Sequence, residues 1–167
     1  DETGFPIGWS LDAYNDSEEA CSVSTTKEFA YSGEFCIRLE NSVPNDSRLE
    51  QRVSCLSNKV YCFSAYVMVE NIGADGAGAN LSVQGDGKRK YYNTAMSADI
   101  TGTSGEWQQL KLYIKTGPDV SHLFLWLRLG GFSMDNTGVA YFDQVEFTEV
   151  SGIPEGAYIA TVGLGDD

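Results

Sequence analysis

The sequence predicts an all-β fold in which nine or ten strands form a β-sandwich of two antiparallel sheets. Turn residues (Gly, Ser, Thr, Asn, Asp) interrupt the chain every eight to fifteen residues. Between them apolar and polar residues alternate, and no long stretch has helical periodicity. The predicted strands cover residues 9–14, 21–25, 34–40, 48–55, 60–70, 79–84, 107–115, 122–129 and 139–150.

The segment 122–129 has the clearest alternation. One parity is Leu123, Leu125, Leu127 and Leu129, and the other is His122, Phe124, Trp126 and Arg128. An all-leucine face indicates burial against the partner sheet, and an unpaired buried arginine is costly, so Trp126 is expected to point outward. The alternative, that both faces are buried and Trp126 is a core residue, stays open.

Other strands repeat this design, with aliphatic residues on the inward parity and aromatic, amide or charged residues on the outward parity. A sugar ring stacks on an aromatic face while amide and guanidinium groups bind its hydroxyls. The outward residues expected to form such a surface are Arg38, Tyr66, Asn80, Gln84, Tyr113, Phe124, Trp126 and Arg128.

The 167 residues are enough for one domain, expected over 1–150, with a linker or tail over 151–167. The net charge of -13 disfavours nucleic acid and anionic membranes as partners, because both attract basic surfaces. No apolar window approaches a membrane span, and the first residues lack the pattern of a signal peptide. The chain is therefore expected to be a piece of a longer protein.

Four cysteines without CxxC spacing, beside a single histidine, make a zinc site improbable. Two disulfides are the favoured interpretation, and local pairing gives Cys21 with Cys36 and Cys55 with Cys62, one of three connectivities. Disulfides would place the protein in an oxidising, extracellular compartment. The alternative is four buried, reduced thiols.

Catalytic motifs are absent from the sequence. His122 is the only histidine, and it has no recognisable nucleophile motif beside it. The glycines at 73, 76 and 78 match neither phosphate-binding nor dinucleotide-binding spacing. A carboxylate or tyrosine pair that cleaves polysaccharide stays as an alternative, but the expectation is a protein that is not an enzyme.

Five motifs, in order, resemble the β-jelly-roll carbohydrate-binding modules of families 4, 9 and 22. They are Gly8-Trp9, Tyr31-Ser32-Gly33, the segment 61–67, Gly105-Glu106-Trp107 and the segment 138–145. The resemblance covers nearly the whole chain and implies a jelly roll that binds a polysaccharide on a concave sheet. The expected module is monomeric and is part of a larger multidomain protein, secreted or on the cell surface, which it directs to the polysaccharide.

By this resemblance the ligand groove receives Arg38, Tyr66, Tyr113, Trp126 and Arg128. Position 128 is a carboxylate in the relatives, and arginine there points toward acidic sugars. The resemblance further implies a structural calcium ion near Asp143 and Glu34. An adhesion or spacer module of a bacterial surface protein is the alternative function.

Overall fold

The computed structural model describes residues 4–86 and 94–164. Within these residues the chain forms eleven strands and no helix, so no described helix has the length and apolarity to cross a membrane. The strands are β1 (Ser10–Ala13), β2 (Cys21–Thr26), β3 (Cys36–Asn45), β4 (Ser47–Ser54), β5 (Val60–Glu70), β6 (Ala79–Gly85), β7 (Ala95–Met96), β8 (Gln108–Thr116), β9 (His122–Leu129), β10 (Asn136–Glu149) and β11 (Ile159–Val162).

The strands form two sheets, which confirms the predicted β-sandwich. The five-stranded sheet has the order β1-β4-β9-β6-β7, and the six-stranded sheet has the order β11-β8-β5-β10-β3-β2. All neighbouring strands are antiparallel except β11 and β8. The nine predicted strands are all present, while the sequence analysis missed β7 and β11.

The core between the sheets consists of the predicted inward parities. The four leucines of β9 are essentially inaccessible and pack with the inward residues of β5, β6 and β8. The full set from these three strands is Tyr61, Phe63, Ala65, Val67, Val69, Ala79, Leu81, Val83, Leu110, Leu112 and Ile114. Removal of this apolar surface from water is the main force that holds the sheets together.

Part of the segment expected to be a linker or tail, 151–167, belongs to the sandwich. Within it, Ile159–Val162 pairs in parallel with β8, and Ala160 and Val162 lie in the core. The sequence analysis did not predict this strand, because only two of its residues point inward and the neighbouring glycines and proline are typical of a loop. The second sheet thereby gains an edge strand.

The two sheets are joined directly at Asp46, the single residue between β3 and β4. Gly130, just after β9, lies against this crossing with φ +100°, and a Cβ atom there would be 2.4 Å from the carbonyl oxygen of Asn45. Glycine is therefore needed for the close approach. It brings the loop that follows β9 next to Asp46.

The four cysteines are free thiols, contrary to the predicted disulfides. In the β2–β3 ladder Cys21 pairs with Asn41, whereas Cys36 pairs with Thr26 at the opposite end. Five residues of strand separate Cys36 from Asn41, which is about 17 Å, while a disulfide needs Cα atoms within about 7 Å. Burial raises the pKa of the Cys36 thiol from 9.0 to about 11, so this thiol is protonated at neutral pH.

The pairing of Cys55 with Cys62 fails for a different reason. Cys55 follows β4 of the five-stranded sheet and packs against the core. Cys62 lies on β5 of the six-stranded sheet, on the parity opposite to the core residue Phe63, and is in register with Tyr113. Its side chain therefore points away from the sheet that carries Cys55.

Candidate functional site

The predicted binding residues separate onto the outward faces of two different sheets. Five of them, on β6 and β9, share the outward face of the five-stranded sheet: Asn80, Gln84, Phe124, Trp126 and Arg128. The other three lie on β3, β5 and β8 of the six-stranded sheet: Arg38, Tyr66 and Tyr113. One ligand cannot contact both groups, because the core lies between them.

Trp126 is on the outward face, as predicted, but its ring is covered. Its residue is only 4% exposed, and its Nε1 donates a 2.9 Å hydrogen bond to Oε2 of Glu50 on the neighbouring strand. The guanidinium of Arg48 lies 4.1 Å from the ring centroid, in cation–π geometry. The expectation of an indole open to solvent is therefore wrong, since polar side chains of the same face cover it.

Arg128 is also buried, at 4% exposed, and it forms a two-point ion pair with Asp46. Its Nε is 2.8 Å from Asp46 Oδ1, and its Nη2 is 2.7 Å from Oδ2. Its Nη1 donates to Ser82 Oγ at 3.3 Å. The charge that argued against burial is thus neutralised by a carboxylate from the sheet crossing.

Arg48 has acidic partners as well. It binds Asp12 on β1 through Nε and Nη2, at 3.1 and 2.7 Å, and approaches Asp46 at 3.4 Å. Around the indole, two guanidinium groups therefore face three carboxylates, those of Asp12, Asp46 and Glu50. The face is densely charged, but both Arg48 and Arg128 are paired with carboxylates.

The other predicted residues of this face differ in their availability. Asn80 is inaccessible to solvent. Its Nδ2 donates to the carbonyls of Gly78 and Gly130, and its Oδ1 accepts a hydrogen bond from Ser82. Gln84 is half-buried and lines a cleft. Phe124 is in register with Gln84 on one neighbouring strand and with Arg52 on the other. Asn80 is thus structural, and Gln84 is accessible to a ligand.

A cleft of about 630 Å³ opens over the part of this face nearest Asp46. Its floor includes Trp126, Arg128 and Arg48, and a smaller cavity of about 270 Å³ adjoins it through the shared residues Tyr14, Asp46 and Phe132. The volume lies in the range typical of small-molecule sites. The remaining residues that line the larger cleft are Ala13, Gln84 and Thr94.

Two aromatic residues that the sequence analysis did not select stand at the rim of this cleft. Tyr14 is 87% exposed and Phe132 is 86% exposed. The Tyr14 amide donates to the Asp46 carbonyl at 2.9 Å, which fixes the backbone after β1. Phe132 is at the tip of a tight turn closed by two hydrogen bonds between Gly131 and Met134. In the sequence, the only indication of these two residues is that each is an isolated aromatic beside turn residues, outside any alternating segment.

On the six-stranded sheet each predicted residue contacts different neighbours: Arg38 contacts Glu40 and Tyr141, Tyr66 contacts Tyr31, and Tyr113 lies beside Cys62. Tyr66 stacks on Tyr31, with ring centroids 3.8 Å apart and planes 12° apart. Burial lowers the pKa of Arg38, but hydrogen bonds to Glu40 and Tyr141 outweigh it, so the net shift is upward. Tyr113 is buried, which raises its pKa, and Cys62 beside it adds to the shift. These residues do not form a shared groove.

Asp143, the predicted calcium ligand, accepts hydrogen bonds from three backbone amides. Its Oδ2 receives those of Tyr31 and Ser32 at 2.8 and 3.1 Å, and its Oδ1 receives that of Gln144 at 2.7 Å. The N–H groups directed at the carboxylate disfavour a cation there, and the described residues contain no group of three acidic, histidine or cysteine side chains placed to hold a metal ion. The residues around Asp143, including exposed Glu34, do not fit a calcium site.

No family profile and no curated protein matches the sequence. Among solved structures, the C-terminal family 22 carbohydrate-binding module of Clostridium thermocellum Xyn10B superposes with a TM-score of 0.64 at 15% identity, over 89% of each chain. TmCBM61, solved with β-1,4-galactotriose, gives a TM-score of 0.56 at 16% identity, over 89% of this chain and 93% of that chain.

Part of a catalytic protein has this fold as well. The enzymatically active domain of tailspike protein 4 of bacteriophage CBA120 gives a TM-score of 0.62 at 11% identity, over 86% of this chain. The chain spans only 20% of that protein's length. At these identities the likeness concerns the fold alone, and it confirms the predicted β-jelly roll, the fold that these carbohydrate-binding modules have.

Proposed function

We propose that this chain is a non-catalytic module that binds a polysaccharide or oligosaccharide in the cleft of the five-stranded sheet. The observation that carries the proposal is the pair of exposed aromatics, Tyr14 and Phe132, at the rim of a cleft with a polar floor. Sugar rings stack their C–H faces on such aromatics, while the floor binds hydroxyls. The carbohydrate-binding modules that share the fold add support.

The floor has hydrogen-bonding capacity left for hydroxyl groups. A guanidinium has five N–H donors, and Arg128 uses three of them on Asp46 and Ser82, which leaves two. The Asp46 carboxylate has about four acceptor sites and receives three hydrogen bonds from Arg128 and Arg48. Donors and an acceptor held side by side suit the vicinal hydroxyls of a sugar.

The charge of the floor favours a neutral glycan over an acidic one. The arginine at 128 suggested uronic acids, but the charge of Arg128 is neutralised by Asp46, and Arg48 is paired with Asp12. The net charge of the chain, -13, adds repulsion against a polyanion. A uronate would bring a fourth carboxylate to a site that already holds those of Asp12, Asp46 and Glu50.

The placement in a larger, secreted or cell-surface protein remains part of the proposal and rests on the ligand alone. Because the four cysteines are free, disulfides no longer support an extracellular location. Immunodetection of the full-length protein in culture medium and cell fractions tests the location.

Affinity gel electrophoresis with neutral and uronate-containing polysaccharides tests the proposed function. Tyr14→Ala and Phe132→Ala are expected to abolish retardation by a neutral polysaccharide while leaving the melting temperature unchanged, because both side chains are exposed. Phe35→Ala is the matched control, since Phe35 is exposed and lies just before β3 of the other sheet. Unchanged retardation in both rim variants contradicts the cleft, and release of reducing ends by the isolated chain contradicts the non-catalytic role.

A further inference from the structure

The free edge of β8, on the six-stranded sheet, forms a second groove that shares no lining residue with the cleft. On one side β8 pairs with β5 along most of its length, from Gln108 to Lys115. On the other side β11 pairs only with Tyr113 to Thr116, so the first half of β8 has no strand partner there among the described residues. The space beside this half is about 390 Å³.

The direction of the backbone groups at this edge follows from one hydrogen bond. The amide of Tyr113 donates to the carbonyl of Tyr158 at 2.9 Å, so Tyr113 directs its N–H and C=O groups away from β5. These directions alternate along a strand, so Lys111 and Gln109 direct theirs to the same open side. Two N–H and two C=O groups therefore face the groove.

The side chains of the groove combine stacking surface with unengaged polar groups. Tyr158 is 53% exposed and stands at the rim. Gln109, Lys111 and Glu155 line the groove and are exposed, and none has a side-chain hydrogen bond or ion pair with another described residue. The amine and the carboxylate balance each other in charge. A neutral ligand rich in both donors and acceptors matches this set.

The geometry favours a small polyhydroxylated ligand over an added peptide strand. Ala157 and Tyr158 lead directly into β11, so a strand in register with β8 would meet them just beyond Lys111. The turn formed by the hydrogen bond from Ala157 to Pro154 closes the far wall. Only Gln109 and Lys111 remain for pairing, which is too few for a stable added strand.

We propose that this edge groove is a second saccharide-binding site, which accommodates one or two neutral sugar units against Tyr158. The proposal rests on the carbohydrate role proposed for the chain, but its residues are separate from those of the cleft. Two sites on one module would permit simultaneous contact with two chains, or two parts of one chain, of a polysaccharide.

The test is an NMR titration of the ¹⁵N-labelled chain with β-1,4-galactotriose, xylotriose and cellotriose. At least one sugar is expected to shift the backbone amides of Gln109 and Lys111, whose N–H groups face the groove. Tyr158→Ala is expected to weaken the affinity measured at these amides by about tenfold, and Lys111→Met to weaken it less. Tyr14→Ala with Phe132→Ala is the matched control, which leaves the shifts at β8 intact.

The outcomes separate the two proposals. Shifts confined to the cleft, unaffected by Tyr158→Ala, overturn the edge site and retain the proposed function. Shifts at Gln109 and Lys111 that survive the double cleft variant support the edge site, even if the cleft binds nothing. No shift with any sugar overturns both proposals. A Thr-Val-Thr-Val peptide is titrated in parallel, and shifts of these amides by the peptide alone overturn the saccharide assignment.

Discussion

The outward faces of the two sheets both carry aromatic residues, but different kinds of group cover these rings on each sheet. On the five-stranded sheet, charged side chains of the face itself cover Trp126, with Arg48 above the ring and Glu50 at the indole nitrogen. On the six-stranded sheet, a loop covers Tyr66 and Tyr141 with further aromatics, Tyr31 and Phe29. The first face is held by charge pairing and the second by ring contacts.

The comparison shows that strand parity predicts the face of a residue but not its exposure. Trp126 and Tyr66 both have the outward parity, and each is at least partly covered. The cover has different consequences for binding. Charged groups on the first face leave a polar cleft beside the indole, whereas the loop on the second face occupies the space that a ligand would need.

The largest effect that the comparison predicts is the loss of the buried ion pair on the five-stranded sheet. Asp46→Ala leaves Arg128 buried without its partner, and we expect the free energy of unfolding to fall by about 3 to 5 kcal/mol. Asp86→Ala is the matched control, because its partner Arg52 is half-exposed, and a loss of at most about 1 kcal/mol is expected. Urea unfolding measures both.

A second variant keeps this prediction testable if Asp46→Ala fails to fold. Asp46→Ala combined with Arg128→Met removes both charges and is expected to recover much of the lost stability, because no unpaired charge remains. Equal, small losses for Asp46→Ala and Asp86→Ala would show that charge pairing does not hold the first face.

The next effect compares one tryptophan from each face. Trp126→Ala is expected to lower the free energy of unfolding by about 3 kcal/mol, because it leaves a cavity and removes the donor from Glu50. Trp107→Ala removes a half-buried ring packed on the second face, so we expect a loss of about half that size. Thermal and urea unfolding measure the difference.

The reverse result would restore Trp126 as an open stacking platform. If Trp126→Ala folds as stably as the parent protein but no longer binds glycans, the cover seen over the indole is not present in solution. Arg48→Ala gives an independent measurement, because removal of the guanidinium is expected to increase acrylamide quenching of tryptophan fluorescence.

The smallest effect concerns the loop that covers the second face. Asp143→Ala removes the acceptor of three backbone amides and is expected to cost about 1 to 2 kcal/mol of stability. Hydrogen exchange at the Tyr31 and Ser32 amides is expected to accelerate, because their partner is lost. Since these amides occupy the carboxylate, EDTA is expected to leave the melting temperature unchanged. A clear fall in melting temperature with EDTA, reversed by calcium, would contradict this account.

The binding site was less predictable from the sequence than the strands, for a physical reason that Tyr14 and Phe132 illustrate. A strand is recognised in the sequence by alternating apolar and polar residues, because every second side chain is buried in the core. Tyr14 and Phe132 lie in turns, where no periodicity constrains them. They line one cleft because the Tyr14 amide donates to the Asp46 carbonyl and because Gly130, just before the turn of Phe132, lies against Asn45 and Asp46. The cover over Trp126 was also hidden, because Arg48 comes from a distant segment of the chain.

The sequence by itself determined where nine of the eleven described strands run and which parity of the central strands faces the core. The leucines of β9 illustrate this, since their burial follows from the fixed pleat of a strand and the cost of exposing them to water. The tertiary structure alone decided which strands share a sheet, which separated Tyr66 and Tyr113 from Trp126. It also decided which carboxylates reach Arg128, because ion pairs form between groups that only folding brings within a few ångströms.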